Sequence, residues 1–143
     1  VEGVDLELRG ADPRIVPADE LGVPSYDELV LVASGERLRE DTEPIAAFLR
    51  GLEHGTIAAV GDPEKATEAL LEAGEGLEPE LTAAQVEATI PRLLPPGDGP
   101  YGYMDPDRWV EFAEFMADAG LIEKAPPASE MLSNDLLPKT PEE

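Results

Sequence analysis

The chain has 143 residues, 42% of them hydrophobic, and carries a net charge of −22 from 32 acidic against 10 basic side chains. That length suits one domain with a sizeable core, while the charge repels phosphate backbones and anionic lipid, so nucleic acid is not an expected partner. No apolar run can span a bilayer, cysteine is absent and His54 is the sole histidine; direct membrane insertion, disulfides, thiol nucleophiles and a multi-histidine metal site within one chain are thereby excluded.

Val4-Asp5-Leu6-Glu7-Leu8 alternates apolar and acidic residues, the period-two pattern of a half-buried strand. Gly10 and Pro13 close it, and Arg14-Ile15-Val16 reads as a second short strand before Pro17. A turn-rich stretch, PADELGVPSYDE, leads into Leu29-Val30-Leu31-Val32-Ala33, an uninterrupted apolar run that suits a strand buried on both faces. Ser34 and Gly35 end it, and Glu36–Glu40 reads as a helical turn. Asp41 or Thr42 then caps the longest amphipathic helix, with Pro44 tolerated in its first turn. Ile45, Phe48, Leu49, Leu52 and Ile57 share one face of it. Gly51 and Gly55 each weaken such a helix by roughly 1 kcal/mol relative to Ala, which points to close approach of another backbone.

Asp62-Pro63-Glu64 combines an acidic cap, proline at the first helical position and a further acid near the positive helix end. That helix runs to about Ala73 and stops at Gly74 and Gly76. Thr82 with Gln85 forms a candidate capping box for a helix through Val86 and Ile90 to Leu94, with Pro91 displacing its last turn. The stretch LPPGDGPYGYMDP reads as a loop. It ends in Asp105-Pro106, a second helix start, after which Trp109, Phe112, Ala113 and Met116 make an apolar stripe closed by Gly120. Ala125–Pro127 is a spacer, Ser129–Leu137 holds one or two helical turns, and 138–143 reads as a frayed tail.

Catalytic chemistry is not legible. There is no Gly-x-Ser-x-Gly elbow, GDGPYG lacks the spacing and lysine of a phosphate loop, and it lacks the alternating acidic ligands of a calcium loop. His54 lies mid-helix with little around it to make it a base. Trp109, Phe112 and Phe115 fall on one helix, where core packing explains them before a ligand shelf does. Tyr101, Tyr103 and Tyr26 occupy irregular stretches where a polar-tipped ring can meet a ligand. The expectation is a protein that is not an enzyme and uses no cofactor.

EGVDLELRG, DELGVPSYDELVLVAS, FLRGLEHG, DPEKATEALL, MDPDRWVEFAEFMADAGLI and SNDLLP occur in this order over Glu2 to Pro138. Taken together they resemble the later part of a periplasmic-type solute-binding protein, from the branch that includes thiamine-pyrimidine-precursor and alkanesulfonate binding proteins of ABC transporters. No single motif is as specific as a zinc-ligand pattern; the specificity lies in the succession. The resemblance implies an α/β, helix-rich chain: an incomplete two-lobe periplasmic-binding-protein-like fold with a small sheet covered by helices. On that pattern 1–23 are strands ending the second lobe, 24–28 cross over, and 29–137 complete the first lobe. It further implies a truncated solute-binding module for a small heterocyclic nutrient, extracytoplasmic, working with transporter membrane subunits. Glu2 and, more weakly, Tyr26 map to the ligand. The alternative is a non-catalytic interaction or structural protein whose sheet is completed by another chain or by a homodimer, through strand pairing or element swapping. An enzyme resembling a pyrimidine-precursor synthase is the least favoured reading, since such a synthase is expected to need histidine and a cysteine-rich stretch.

Overall fold

The computed structural model describes residues 2–94 and 99–138. Seven α-helices follow one another among them: α1 (Glu2–Leu8), α2 (Gly35–Glu40), α3 (Thr42–Gly61), α4 (Pro63–Ala73), α5 (Pro79–Thr89), α6 (Pro106–Asp118) and α7 (Ala128–Met131), with short 3₁₀ turns at Asp19–Leu21 and Ile90–Arg92. No β-strand occurs among the described residues. The expected α/β class with a small sheet is therefore corrected to an all-helical one.

The correction has a local cause at the N-terminus. Val4–Leu8 alternates, but Leu, Glu and Arg are good helix formers, and Arg9 Nε reaches Asp5 Oδ1 at 2.9 Å across one helical turn. Gly10 then adopts the left-handed conformation, φ 79°. Its N–H donates to Glu7 O at 2.9 Å and the Ala11 N–H donates to Leu6 O at 2.9 Å, the paired bonds of a Schellman cap. The glycine that reads as a strand terminator is a helix terminator. Ile15 and Val16 form no strand, nor does the Leu29–Ala33 run, and neither stretch makes a backbone hydrogen bond among the described residues.

The chain divides into two compact units. The first comprises the described residues of Val1–Ile15, Phe48–Gly102 and Pro138–Glu143. In it α5 packs against both α1 and α4. Helix α4 starts as the sequence predicts: Asp62 accepts from the Lys65 N–H at 3.1 Å and Pro63 occupies the first turn. Helix α5 does not. It begins at Pro79, so Thr82 lies inside it, buried, with its hydroxyl donating to Glu78 O at 2.9 Å instead of capping. The pre-set φ of proline nucleates the helix one turn earlier than the capping-box reading expects. Pro91 sits in the 3₁₀ turn that replaces the last α-turn. Buried Thr56 on α3 shares a 2.9 Å hydroxyl–hydroxyl bond with Tyr101, pinning the Gly/Pro loop to the helix. A Cβ placed on Gly51 or Gly55 would meet nothing within 4 Å, so neither glycine serves the close backbone approach expected of it.

The second unit comprises Val16–Ala47 and Tyr103–Leu137. Ser34 caps α2 by accepting from the Arg37 N–H at 3.2 Å. Asp105 caps α6 through the Asp107 N–H at 3.0 Å, with Pro106 in the first turn. The far end of α6 closes on Gly120, φ 71°, with Gly120 N–H to Ala117 O and Leu121 N–H to Met116 O both at 2.9 Å, a second Schellman cap. Helix α7 packs on α6, and Ala113, at 1% exposure, is the buried apolar residue among those described. Beyond α7, Asn134 takes the Met104 N–H at 3.1 Å and donates to the Met104 carbonyl at 2.8 Å. The tail expected at 138–143 lies, beyond Pro138, outside the described residues.

Candidate ligand-binding site

The second unit holds a concave site built from two stretches of chain. Helical spacing along α6 puts Trp109, Phe112, Ala113 and Met116 on one face, and the Asp105 cap with Pro106 fixes where that face begins. The irregular segment ending in Ser25-Tyr26-Asp27 lies against it. The Tyr26 ring stacks on Phe112 with centroids 4.6 Å apart and planes 20° off parallel, and Phe112 continues to Phe115 at 6.1 Å. Trp109 Nε1–H donates to Asp27 Oδ2 at 2.8 Å. The aromatic stack and this charge-assisted bond hold segment and helix together by different physics, one apolar and one directional.

Between them lies a cavity of about 160 Å³. It is lined by Tyr26, Trp109, Phe112, Ala113, Met116 and Met131, with Ser25, Asp27 and Arg108 supplying polar groups. An engineered apolar cavity of roughly 150 Å³ accepts benzene, so the volume fits a single six-membered ring. One carboxylate oxygen of Asp27 holds Trp109; a hydroxyl and a guanidinium stand nearby. Such a site can stack a flat ring and read hydrogen-bond donors and acceptors at its edge. Among the described residues no group of His, Asp and Glu is placed to hold a metal ion.

The two residues expected at a ligand fall in different units. Tyr26, 49% exposed, belongs to the cavity. Glu2 is exposed in the first turn of α1, in the first unit. Asp27, Trp109 and Arg108 were not anticipated as site residues. Trp109 and Phe112 carried a signal, the i, i+3 aromatic spacing of α6. Asp27 carried none, since its bond to Trp109 spans 82 residues.

Residues 1–66, a stretch that contains Glu2, Tyr26 and Asp27 but not α6, match the family model described as NMT1/THI5 like. Over 133 residues the chain is 29% identical to the formylaminopyrimidine-binding protein of Halalkalibacterium halodurans, covering 90% of this chain and 40% of that relative. Over 108 residues it is 33% identical to a protein of Haemophilus influenzae named for thiamine biosynthesis, covering 75% of this chain and 32% of that relative. The first 66 residues of the chain are thus similar to the NMT1/THI5-like family. The chain spans well under half the length of these two relatives. No solved structure matches it.

Proposed function

We propose that this chain is a solute-binding module of an ABC-type uptake system for a small heterocyclic nutrient, such as a thiamine pyrimidine precursor, and not an enzyme. The observation that carries the reading is the similarity over 133 residues to a relative named for binding formylaminopyrimidine. The cavity beside Tyr26 supports it with ring-sized volume, a stacking face and edge groups that suit an aminopyrimidine. Tyr26 stacks on the ring and Asp27 takes a ring-edge N–H. Glu2, in the first unit and outside this cavity, stands as a ligand residue on the family resemblance alone. Its partners are then transporter membrane subunits, on the extracytoplasmic side. Among the described residues no helix is long and apolar enough to cross a membrane. Titration calorimetry with formylaminopyrimidine tests the reading: saturable heat supports it, and none at millimolar ligand removes it for this chain.

A second reading has its own observation. Leu29 and Val32 are each 89% exposed, which suits an interaction protein whose apolar surface is covered on homodimerisation or by another chain. Light scattering at micromolar concentration tests the dimer: a well-folded monomer counts against it.

A further inference from the structure

Arg108 lines the cavity beside Tyr26, and the fold makes no other use of it. Its guanidinium forms no hydrogen bond, ion pair or ring contact among the described residues. Yet acidic side chains outnumber basic ones 32 to 10, and Asp105, Asp107 and Glu111 all lie within three residues of it along the chain. Helix stability does not account for it either. Arg108 falls in the first turn of α6, where the helix dipole disfavours a cation. Asp27, on the same cavity, gives Oδ2 to the Trp109 N–H at 2.8 Å, and its Oδ1 has no partner among the described residues. Asp27 and Arg108 line one cavity without pairing with each other. The site therefore offers an open carboxylate oxygen and an open planar fork of N–H donors beside one ring-sized space.

We propose that the preferred ligand of this cavity is a flat ring bearing an anionic group, a carboxylate or a phosphate, which the Arg108 guanidinium takes. The inference rests on the solute-binding reading for a ring in the cavity and goes beyond it in the charge of the ligand. A ring amino group donates to Asp27 Oδ1 while the anion meets Arg108, so the ligand is read at two edges of opposite polarity. The parallel N–H groups of a guanidinium match either oxyanion. Arg108 is exposed, so the anion sits at the cavity mouth and keeps part of its hydration, which holds the gain to a modest factor. The charge of −22 does not forbid it. At about 0.15 M salt the screening length is about 8 Å, so remote carboxylates fade while a direct guanidinium contact persists. Neutral rings bind the same cavity, more weakly.

The test is calorimetric titration of the full chain, at about 0.15 M salt, with two matched series of ligands. One is an aminopyrimidine carrying a carboxamide, a carboxylate or a methyl phosphate at the same ring position; the other is benzamide, benzoate and benzyl phosphate. The expected result is an anionic ring bound at least fivefold tighter than its neutral carboxamide counterpart. A gain for carboxylate alone or phosphate alone names the source of the anion. Arg108→Gln should bring anionic and neutral rings to within twofold of each other, and Arg108→Lys should keep part of the gap. Lys124→Gln, which removes an exposed positive charge elsewhere on the second unit, should keep all of it. Equal binding of neutral and anionic rings by the unaltered chain overturns the proposal. So does a preference that survives Arg108→Gln or is lost in Lys124→Gln. Pyrimidines that bind without regard to charge count against this inference alone. A preference for benzoate or benzyl phosphate, with no pyrimidine bound, counts against the solute-binding reading alone. Binding of none of the six removes both.

Discussion

Asn134 holds the loop before α6 by both ends of one side-chain amide, accepting from the Met104 N–H and donating to the Met104 carbonyl. Both partners are partly buried, so removing the amide leaves two backbone groups short of partners. Asn134→Ala is expected to cost about 1–3 kcal/mol in chemical denaturation. Asn134→Asp should cost at least as much, because a carboxylate then faces the Met104 carbonyl. Trp109 is the sole tryptophan and sits on the cavity wall, so its emission reports on the second unit alone. Trp109→Phe keeps a ring and loses the bond to Asp27; a weakened ligand affinity with a modestly lowered thermal midpoint is the expected pattern. At this scale the sequence was informative wherever partners are near neighbours. The stripe Trp109, Phe112, Met116 is visible in the spacing, while Asn134–Met104 and Trp109–Asp27 join residues 30 and 82 apart and leave no periodic trace.

Helix ends were the most legible elements. Asp62-Pro63 and Asp105-Pro106 cap α4 and α6 with the residues that sequence reasoning assigns. The α1 segment was not legible as a helix because alternation states only that two faces differ; the Asp5–Arg9 pair and the left-handed cap at Gly10 favour the helix locally, and α5 packs against it. Two glycine substitutions separate these effects by sign. Gly10→Ala forces a Cβ into the left-handed region, φ 79°, and should destabilise by about 1 kcal/mol. Gly51→Ala meets open space in mid-helix and should stabilise by about 1 kcal/mol; thermal melts of the two variants check both. The α4 cap carries a pH signature. The side-chain bond to Lys65 lowers the Asp62 pKa from its ordinary 3.8, so the stabilisation from that carboxylate is present above the unfolded value and is lost as pH falls through the depressed one. The same contact raises Lys65 from 10.5; its share is present below the ordinary value and is lost as pH rises through the raised one. Exchange at the Lys65 amide should therefore stay slow between roughly pH 4 and 10, after correction for intrinsic rates, and open on either side. Asp62→Ala should flatten that profile.

For the whole molecule the dominant long-range quantity is the charge of −22. The ion pairs Arg9–Asp5, Arg37–Asp41 and Lys65–Asp62 all lie within four residues of sequence and are largely exposed, so they organise helix ends and contribute little to joining distant elements. Self-repulsion of the remaining carboxylates opposes compaction. Shrinking the screening length from about 30 Å at 0.01 M salt to about 3 Å at 1 M should raise the thermal midpoint by about 5 °C or more; a midpoint indifferent to salt would remove repulsion from the account. The expected sheet failed at this scale for a reason the residues state. Leu29–Ala33 has the composition of an interior strand, but strands are specified jointly with their neighbours, and nothing among the described residues pairs with it. The family resemblance, by contrast, was legible, because it lies in an ordered succession of local motifs that needs no tertiary partner.

Calorimetric titration of the chain with formylaminopyrimidine, beside a Tyr26→Ala variant, tests the central claim most directly. The account predicts saturable one-site binding that weakens at least tenfold in the variant, through loss of the stacking face. Absence of heat at millimolar ligand, or binding that the variant leaves unchanged, would contradict it.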